Sequence, residues 1–139
     1  MFDQFTCHIP LTPQPSRKQD FMDFSKEGNH SYTKKKIGDY AYYLNDLIGS
    51  GYSSNVYKCF KQSEPHVIYA VKVIRLNKLA KSNLNMLQNE IKILQTLDHP
   101  NIIKFHNVTY TQNNCYIVTD YCEGGTLQDH IDKQKSIKF

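Results

Sequence analysis

The feature that most limits the possible folds of this chain is a change in the spacing of its apolar residues near residue 80. Before that point, segments rich in aromatic and β-branched residues alternate with short polar or glycine-containing turns, which is typical of strands. These strand-like segments are 40–48, 55–60 and 67–76. After it, the apolar residues recur at steps of three and four, the spacing of one helix face. They are Leu84, Leu87, Ile91 and Leu94.

Two further strand-like segments follow this helix, at 102–110 and 115–120. A break at Glu123-Gly124-Gly125 then precedes a second helical segment, 126–133, with Thr126 in the capping position. The order is therefore three strands, one helix, two strands and a short helix, without an internal repeat. It predicts an α+β fold in which a five-stranded, mostly antiparallel sheet carries one main helix.

The first 38 residues differ in character from the rest of the chain. Three prolines at positions 10, 13 and 15 are followed by mostly polar residues without periodicity. We predict a flexible basic segment at 1–38 and a folded region at 39–139. The run Lys34-Lys35-Lys36 contributes to a net charge of only +4, so a solvated run is favoured over a binding patch, and nucleic acid is not an expected partner.

The cysteines and the hydropathy indicate where the protein resides. Its four cysteines form no C-x-x-C pair, which predicts reduced thiols: Cys7, Cys59, Cys115 and Cys122. No apolar run approaches the roughly 18 residues that a membrane-spanning helix needs, and charged residues and prolines interrupt the N-terminus where a signal peptide would be apolar. We expect a cytoplasmic protein without a membrane span.

Two charged residues lie on faces that are otherwise apolar. Strand alternation places Lys72 on the same face as Ala70 and Ile74, and Glu90 shares the helix stripe of Leu87. A buried charge is costly unless an opposite charge pairs with it. The pattern therefore suggests an ion pair between Lys72 and Glu90, with a snorkelling lysine and a solvated glutamate as the alternative.

The turn Gly49-Ser50-Gly51-Tyr52-Ser53-Ser54 resembles G-x-G-x-x-G with serine in the last place. Such turns bring backbone amides close to phosphates, although an ordinary hairpin turn has the same composition. A dinucleotide-binding turn would open a helix, and a Walker loop would end in Gly-Lys-Ser or Gly-Lys-Thr. Here a strand follows the turn, and the charged residue downstream is Lys72.

Five stretches occur in an order that resembles the N-terminal lobe of the eukaryotic protein kinases. They read IGSGYSSNVYK at 48–58, YAVK at 69–72, NEIKIL at 89–94, LDHPNII at 97–103 and YIVTDYCEGGTL at 116–127. The resemblance covers about residues 40–134 and implies a kinase-like lobe, a hinge and the start of the second lobe. Its helix and hinge stretches are most similar to kinases of the Ser/Thr type.

The resemblance implies that ATP is the ligand and that Lys72 and Glu90 are catalytic residues. Lys72 would hold the α- and β-phosphates, and Glu90 would orient Lys72. Thr119 would occupy the gatekeeper position, where its modest side chain would leave the pocket behind the adenine fairly open, and the backbones of Asp120 and Cys122 would pair with adenine. The implied nucleotide-binding residues are Ile48, Gly49, Ser50, Gly51, Tyr52, Ser53, Ser54, Val56, Ala70, Lys72, Thr119, Asp120 and Cys122.

Other parts of the kinase pattern are missing from the sequence. It contains no H-R-D-x-x-x-x-N, D-F-G or A-P-E motif, and these supply the base, the Mg²⁺ ligands and the substrate platform. Mg²⁺ is therefore expected only for a complete domain. We expect a partial kinase domain, inactive alone, of an enzyme that transfers the γ-phosphate of ATP to Ser or Thr of a protein substrate. One alternative is a short nucleotide-binding or interaction module. Another is a pseudokinase, which is favoured by the departure of Ser53 and Ser54 from the usual turn.

Overall fold

The computed structural model describes residues 32–135 and shows one antiparallel sheet of six strands with two helices. The strands are β1 (Lys34–Ile37), β2 (Tyr40–Ser50), β3 (Ser54–Lys61), β4 (Glu64–Arg75), β5 (Phe105–Tyr110) and β6 (Asn114–Asp120). The helices are α1 (Lys81–Thr96) and α2 (Leu127–Lys135), and a 3-10 turn (Leu76–Lys78) precedes α1. The strands lie in the order β1-β2-β3-β4-β6-β5. The predicted α+β class and the single main helix of the sheet are confirmed.

The sheet has one strand more than predicted, and that strand lies in the segment expected to be flexible. β1 pairs with β2 from Lys34 opposite Tyr43 to Ile37 opposite Tyr40. Gly38 has a φ of 58°, which permits the two-residue turn between them. The side chain of Ile37 is buried, so one apolar residue at the end of a lysine run anchors an edge strand. Residues 1–31 of the predicted flexible segment lie outside the described residues.

The boundaries near α1 also differ from prediction, for local reasons. The helix begins at Lys81 rather than residue 84, because the amides of Asn83 and Leu84 already donate to the carbonyl of Ala80. The strand expected from residue 102 begins only at Phe105. The amide of Ile102 donates to the carbonyl of His99 at 3.0 Å, so this apolar residue belongs to the turn that follows the helix.

Two apolar clusters lie on opposite faces of the sheet. One contains the buried residues Ile37, Tyr40, Tyr42, Tyr57, Cys59, Val71 and Val118. The other contains Ile74, Leu87, Ile91, Cys115 and Ile117, and it is the cluster that α1 covers. Val71 and Ile74 thus face opposite sides, as the alternation along β4 predicts. Lys72 shares its face with Ile74 and therefore lies on the same side of the sheet as α1.

The cysteines do not all match the prediction of reduced thiols. Cys59 and Cys115 are free and buried, and burial raises the pKa of the Cys59 thiol to about 12. Cys122 is disulfide-bonded, so the prediction is wrong at that position. It failed because sequence spacing alone does not show which cysteines meet in space.

Candidate functional site

A cavity of about 610 Å³ lies between the glycine turn, β4 and the segment that follows β6. All the predicted nucleotide-binding residues line it except Tyr52, Ser53 and Thr119. Its other lining residues, which the sequence did not single out as binding residues, are Ile103, Tyr121, Glu123, Gly125, Thr126 and Asp129. The fold thus brings together residues that are more than 70 positions apart in the chain.

The glycine turn is a hairpin between β2 and β3. Ser50 pairs with Asn55 in the ladder, and the amide of Gly51 donates to the carbonyl of Ser54 at 2.7 Å. The Ser50 hydroxyl donates to Oδ1 of Asn55 at 3.0 Å, which holds the two strands together beside the turn. A Cβ at Gly49 would lie 3.7 Å from the Cβ of Val56, an ordinary contact. Packing therefore does not require glycine at position 49.

The tip of the turn is held by Arg75, a residue that the sequence reasoning missed. Its Nη2 donates to the carbonyls of Tyr52 at 3.1 Å and Gly51 at 3.4 Å, and its own amide donates to the carbonyl of Ser53 at 2.8 Å. The Nζ of Lys78 lies 5.6 Å from the ring centroid of Tyr52, within range of a cation–π contact. Nothing in the sequence pattern points to Arg75, since strand periodicity cannot show which side chain reaches a turn 23 residues earlier.

Lys72 and Glu90 are both half-buried, and they have different relations to the cavity. Lys72 lies in the centre of the sheet, opposite Val56 on β3 and Ile117 on β6, and it lines the cavity. Glu90 does not line it. Both residues belong to the described part of the chain, and the ion pair expected between them stays a prediction.

Asp120, at the end of β6, is tied to its surroundings through its backbone and its side chain. Its amide donates to the carbonyl of Lys104 at 3.0 Å, and its carbonyl accepts the hydroxyl of Thr119 at 3.2 Å. Oδ1 of Asp120 lies 2.5 Å from Nε2 of His106 on the neighbouring strand. A carbonyl oxygen has two lone pairs, so the oxygen of Asp120 can accept a second donor from a ligand. Thr119 thus contacts a cavity-lining residue without lining the cavity itself.

The far wall of the cavity is the start of α2, where Thr126 and Asp129 cap each other. The Asp129 amide donates to Oγ1 of Thr126 at 3.1 Å, which confirms the predicted cap. In return, Oδ2 of Asp129 accepts the amide and the hydroxyl of Thr126, each at 2.7 Å. The backbone amide of Thr126, followed by its hydroxyl, lowers the pKa of the Asp129 carboxyl below its usual 3.8. Gly125, with a φ of 76°, makes the turn that brings these groups together.

The chemical character of the cavity suits a flat apolar group linked to an anionic one. Ile48, Val56 and Ala70 supply an apolar surface, the glycine turn supplies backbone groups, and Lys72 supplies a cation. The donor set for a metal ion does not fit equally well. Within residues 32–135, no three His, Cys, Asp or Glu side chains are grouped so that they could hold one. Over the same range, neither helix has the length and apolar character needed to cross a bilayer.

Comparison with known proteins assigns the chain to a family. The family model described as "Protein kinase domain" matches residues 42–139. The chain therefore belongs to the protein kinase family, with the glycine turn, Lys72 and the residues after β6 inside the matched region.

Individual relatives bear this out and show how little of them the chain spans. Over 73% of its length the chain is 35% identical to serine/threonine-protein kinase ULK1 of Homo sapiens, of which it covers 10%. Over 67% of its length it is 39% identical to serine/threonine-protein kinase DCLK3 of Homo sapiens, of which it covers 14%. It is also 36% identical, over 61% of its length, to cell division control protein 7 of Schizosaccharomyces pombe, of which it covers 8%.

Proposed function

We propose that this chain is the ATP-binding lobe of a protein kinase that transfers the γ-phosphate of ATP to serine or threonine in a protein substrate. The observation that carries the proposal is the cavity, in which the glycine turn, Lys72 and the Asp120–Cys122 segment face a common space of about 610 Å³. Two of the relatives are named serine/threonine-protein kinases, which favours the Ser/Thr class.

Each wall of the cavity has a role in this proposal. The apolar side chains of Ile48, Val56 and Ala70 would enclose the adenine ring. The carbonyl of Asp120 and the backbone of Cys122 would provide its hydrogen bonds. Lys72 would hold the α- and β-phosphates, and the glycine turn would cover them. Glu90 would serve as a positioning residue that orients Lys72.

The same proposal places phosphoryl transfer outside the ability of this chain alone. Transfer relies on Mg²⁺ to neutralise charge and on a residue that orients the attacking hydroxyl. The sequence has no H-R-D-x-x-x-x-N or D-F-G motif to supply these groups. We therefore propose ATP binding for the chain itself and catalysis for a protein that combines it with those motifs. A cytoplasmic location stays a prediction, and the disulfide at Cys122 removes one of its supports.

Substitution of Lys72 tests the proposal, with ATP binding to the 139-residue chain measured by isothermal titration calorimetry. Lys72→Met should raise the Kd for ATP at least about tenfold, because it removes a charge-assisted contact to phosphate. Lys92→Met is the matched control, since Lys92 is exposed on α1 and does not line the cavity. Equal affinities in the two variants, or no binding by the unsubstituted chain, would contradict the proposal.

A second candidate is an interaction module that binds a partner without transferring phosphate. It is favoured by Met86 and Ile93, which lie seven residues apart on α1 and are 50% and 58% exposed. Residues at that spacing share one helix face. This candidate predicts that a protein containing the chain and the missing motifs lacks transfer activity, whereas the kinase proposal predicts activity that Lys72→Met abolishes.

A further inference from the structure

The contacts of Arg75 with the glycine turn have a consequence for the direction of the backbone amides at its tip. Two successive carbonyls, those of Gly51 and Tyr52, accept from the same guanidinium nitrogen. Both peptide units therefore turn their oxygens toward one side. The bonds are trans, since the described residues contain no cis peptide, and in a trans peptide the N–H points opposite to the C=O.

The side to which those oxygens turn is the face of the sheet away from the cavity. Alternation along β4 puts Arg75 on the face of Val71 and Val73, which pack in the cluster remote from α1. Lys72, one residue from Val71 and Val73, points to the other face and lines the cavity. The amides of Tyr52 and Ser53, which belong to the same two peptide units, are thus directed toward the cavity face of the sheet, although the two residues lie at the tip of the turn and do not themselves line the cavity.

Those two amides have no partner in the described part of the chain. The amide of Gly51 closes the hairpin on Ser54, but neither the Tyr52 nor the Ser53 amide donates a hydrogen bond between residues 32 and 135. Successive free amides on one side of a turn form a concavity that binds anions. A guanidinium can fix the orientation of these amides by binding the carbonyl oxygens of the same peptide units. Its bonds to carbonyl oxygens are charge-assisted, and its planar fork is rigid.

The side chain of Arg75 is itself placed by these contacts. Its Nε is buried and finds no hydrogen-bond partner among residues 32–135, so the bonds of Nη2 to the turn are what orient the group. Leaving a buried donor unsatisfied is unfavourable. The contacts of Arg75 therefore favour a role in fixing the turn over a role in stabilising β4.

We propose that Arg75 is a positioning residue that clamps the tip of the glycine turn, so that the amides of Tyr52 and Ser53 face the phosphates of a bound nucleotide. The proposal rests on the proposed ATP-binding function and deepens it. It assigns to Arg75 the phosphate part of nucleotide recognition and no part in recognition of the adenine.

Two ligands that differ only in their phosphates separate this role from a general effect on folding. In the 139-residue chain, Arg75→Met should raise the Kd for ATP about tenfold while leaving the Kd for adenosine within about twofold. Arg75→Lys keeps the charge but loses the fork, so it should fall between Arg75→Met and the unsubstituted chain. Lys92→Met serves as the control that should change neither affinity. A parallel loss of ATP and adenosine affinity in Arg75→Met, or an unchanged ATP affinity, would overturn the role.

Amide hydrogen exchange in the unliganded chain tests the clamp independently of any nucleotide. Arg75→Met should speed exchange at the Gly51 amide about tenfold, because the hairpin tip loses its anchor, while the Val71 amide in the centre of β4 keeps its rate. Should the unsubstituted chain bind neither ATP nor adenosine, the proposed function fails, and this exchange measurement still decides whether the clamp exists. Unchanged exchange at Gly51 in both Arg75 variants would show that the turn does not depend on Arg75.

Discussion

Two adjacent residues of β4 have different environments because they face opposite sides of the sheet. Val71 is fully buried in one apolar cluster, whereas Lys72 faces the other side of the sheet and lines the cavity. The period of two along a strand was enough to predict that difference from the sequence. The same reasoning could not predict whether Lys72 and Glu90 meet, because that depends on how α1 lies over the sheet.

Truncation of Val71 should destabilise the fold strongly. Val71→Ala is expected to lower the free energy of unfolding by about 2 kcal/mol, because it removes two buried methyl groups and leaves a void in the central strand. Val67→Ala, on the same strand but 36% exposed, should cost less than about 0.5 kcal/mol. Urea unfolding followed by circular dichroism measures both. Equal losses would show that the centre of β4 is not the core described here.

The two buried cysteines should be chemically inert in the folded protein. Burial raises the pKa of Cys59 to about 12 and also raises the pKa of Cys115, so neither thiol forms appreciable thiolate near pH 8. Iodoacetamide at pH 8 followed by peptide mass spectrometry should leave both unlabelled in buffer and label both in urea. Rapid labelling of Cys59 in buffer would contradict its burial.

At the scale of elements, the formation of β1 and the start of α2 depend on a few individual residues more than on the overall composition of these segments. A run of three lysines indicated a solvated segment, yet Ile37 and Gly38 suffice to add that segment to the sheet as an edge strand. The start of α2 was predictable in part, because Thr126 is a typical capping residue. The reciprocal bond from Asp129 was not predicted, since an aspartate at that position is equally compatible with full solvation.

The cap of α2 should respond to acid. The carboxylate of Asp129 has a pKa below 3.8 in the folded chain, so its stabilising effect is complete above pH 3.8 and is lost as the pH falls through the lower folded value. The amide resonance of Thr126, followed by NMR from pH 6 to pH 2, should shift with a midpoint below 3.8.

Two variants identify the group that titrates at the start of α2. The shift of the Thr126 resonance should vanish in Asp129→Asn and persist in Asp132→Asn, which removes another exposed carboxylate of the same helix. A shift that survives in Asp129→Asn would mean that a different group controls the cap.

For the molecule as a whole, the order of periodicities was sufficient to predict the class of fold. The periodicities alone did not predict the residues that line the cavity, because residues such as Ile48 and Asp120 come together only through the sheet. Most of these residues were predicted from the resemblance to kinases. The lining residues that were missed, Ile103 and Glu123 among them, lie within two of the kinase-like stretches, but those stretches do not show which of their residues face the cavity. Their place is a property of tertiary structure, and a pattern read along one chain does not contain it.

The insertion of α1 between β4 and its partner β6 has a consequence for synthesis on the ribosome. β4 pairs with β6 from Arg75 opposite Asn114 to Tyr69 opposite Asp120, so about 40 residues must be made before the open edge of β4 can be covered. At roughly 5–20 residues per second, that edge is exposed for about 2–8 s. During this interval the nascent chain presents unpaired backbone groups of the strand that carries the buried residues Val71 and Ile74, and it is then most exposed to aggregation and to capture by chaperones.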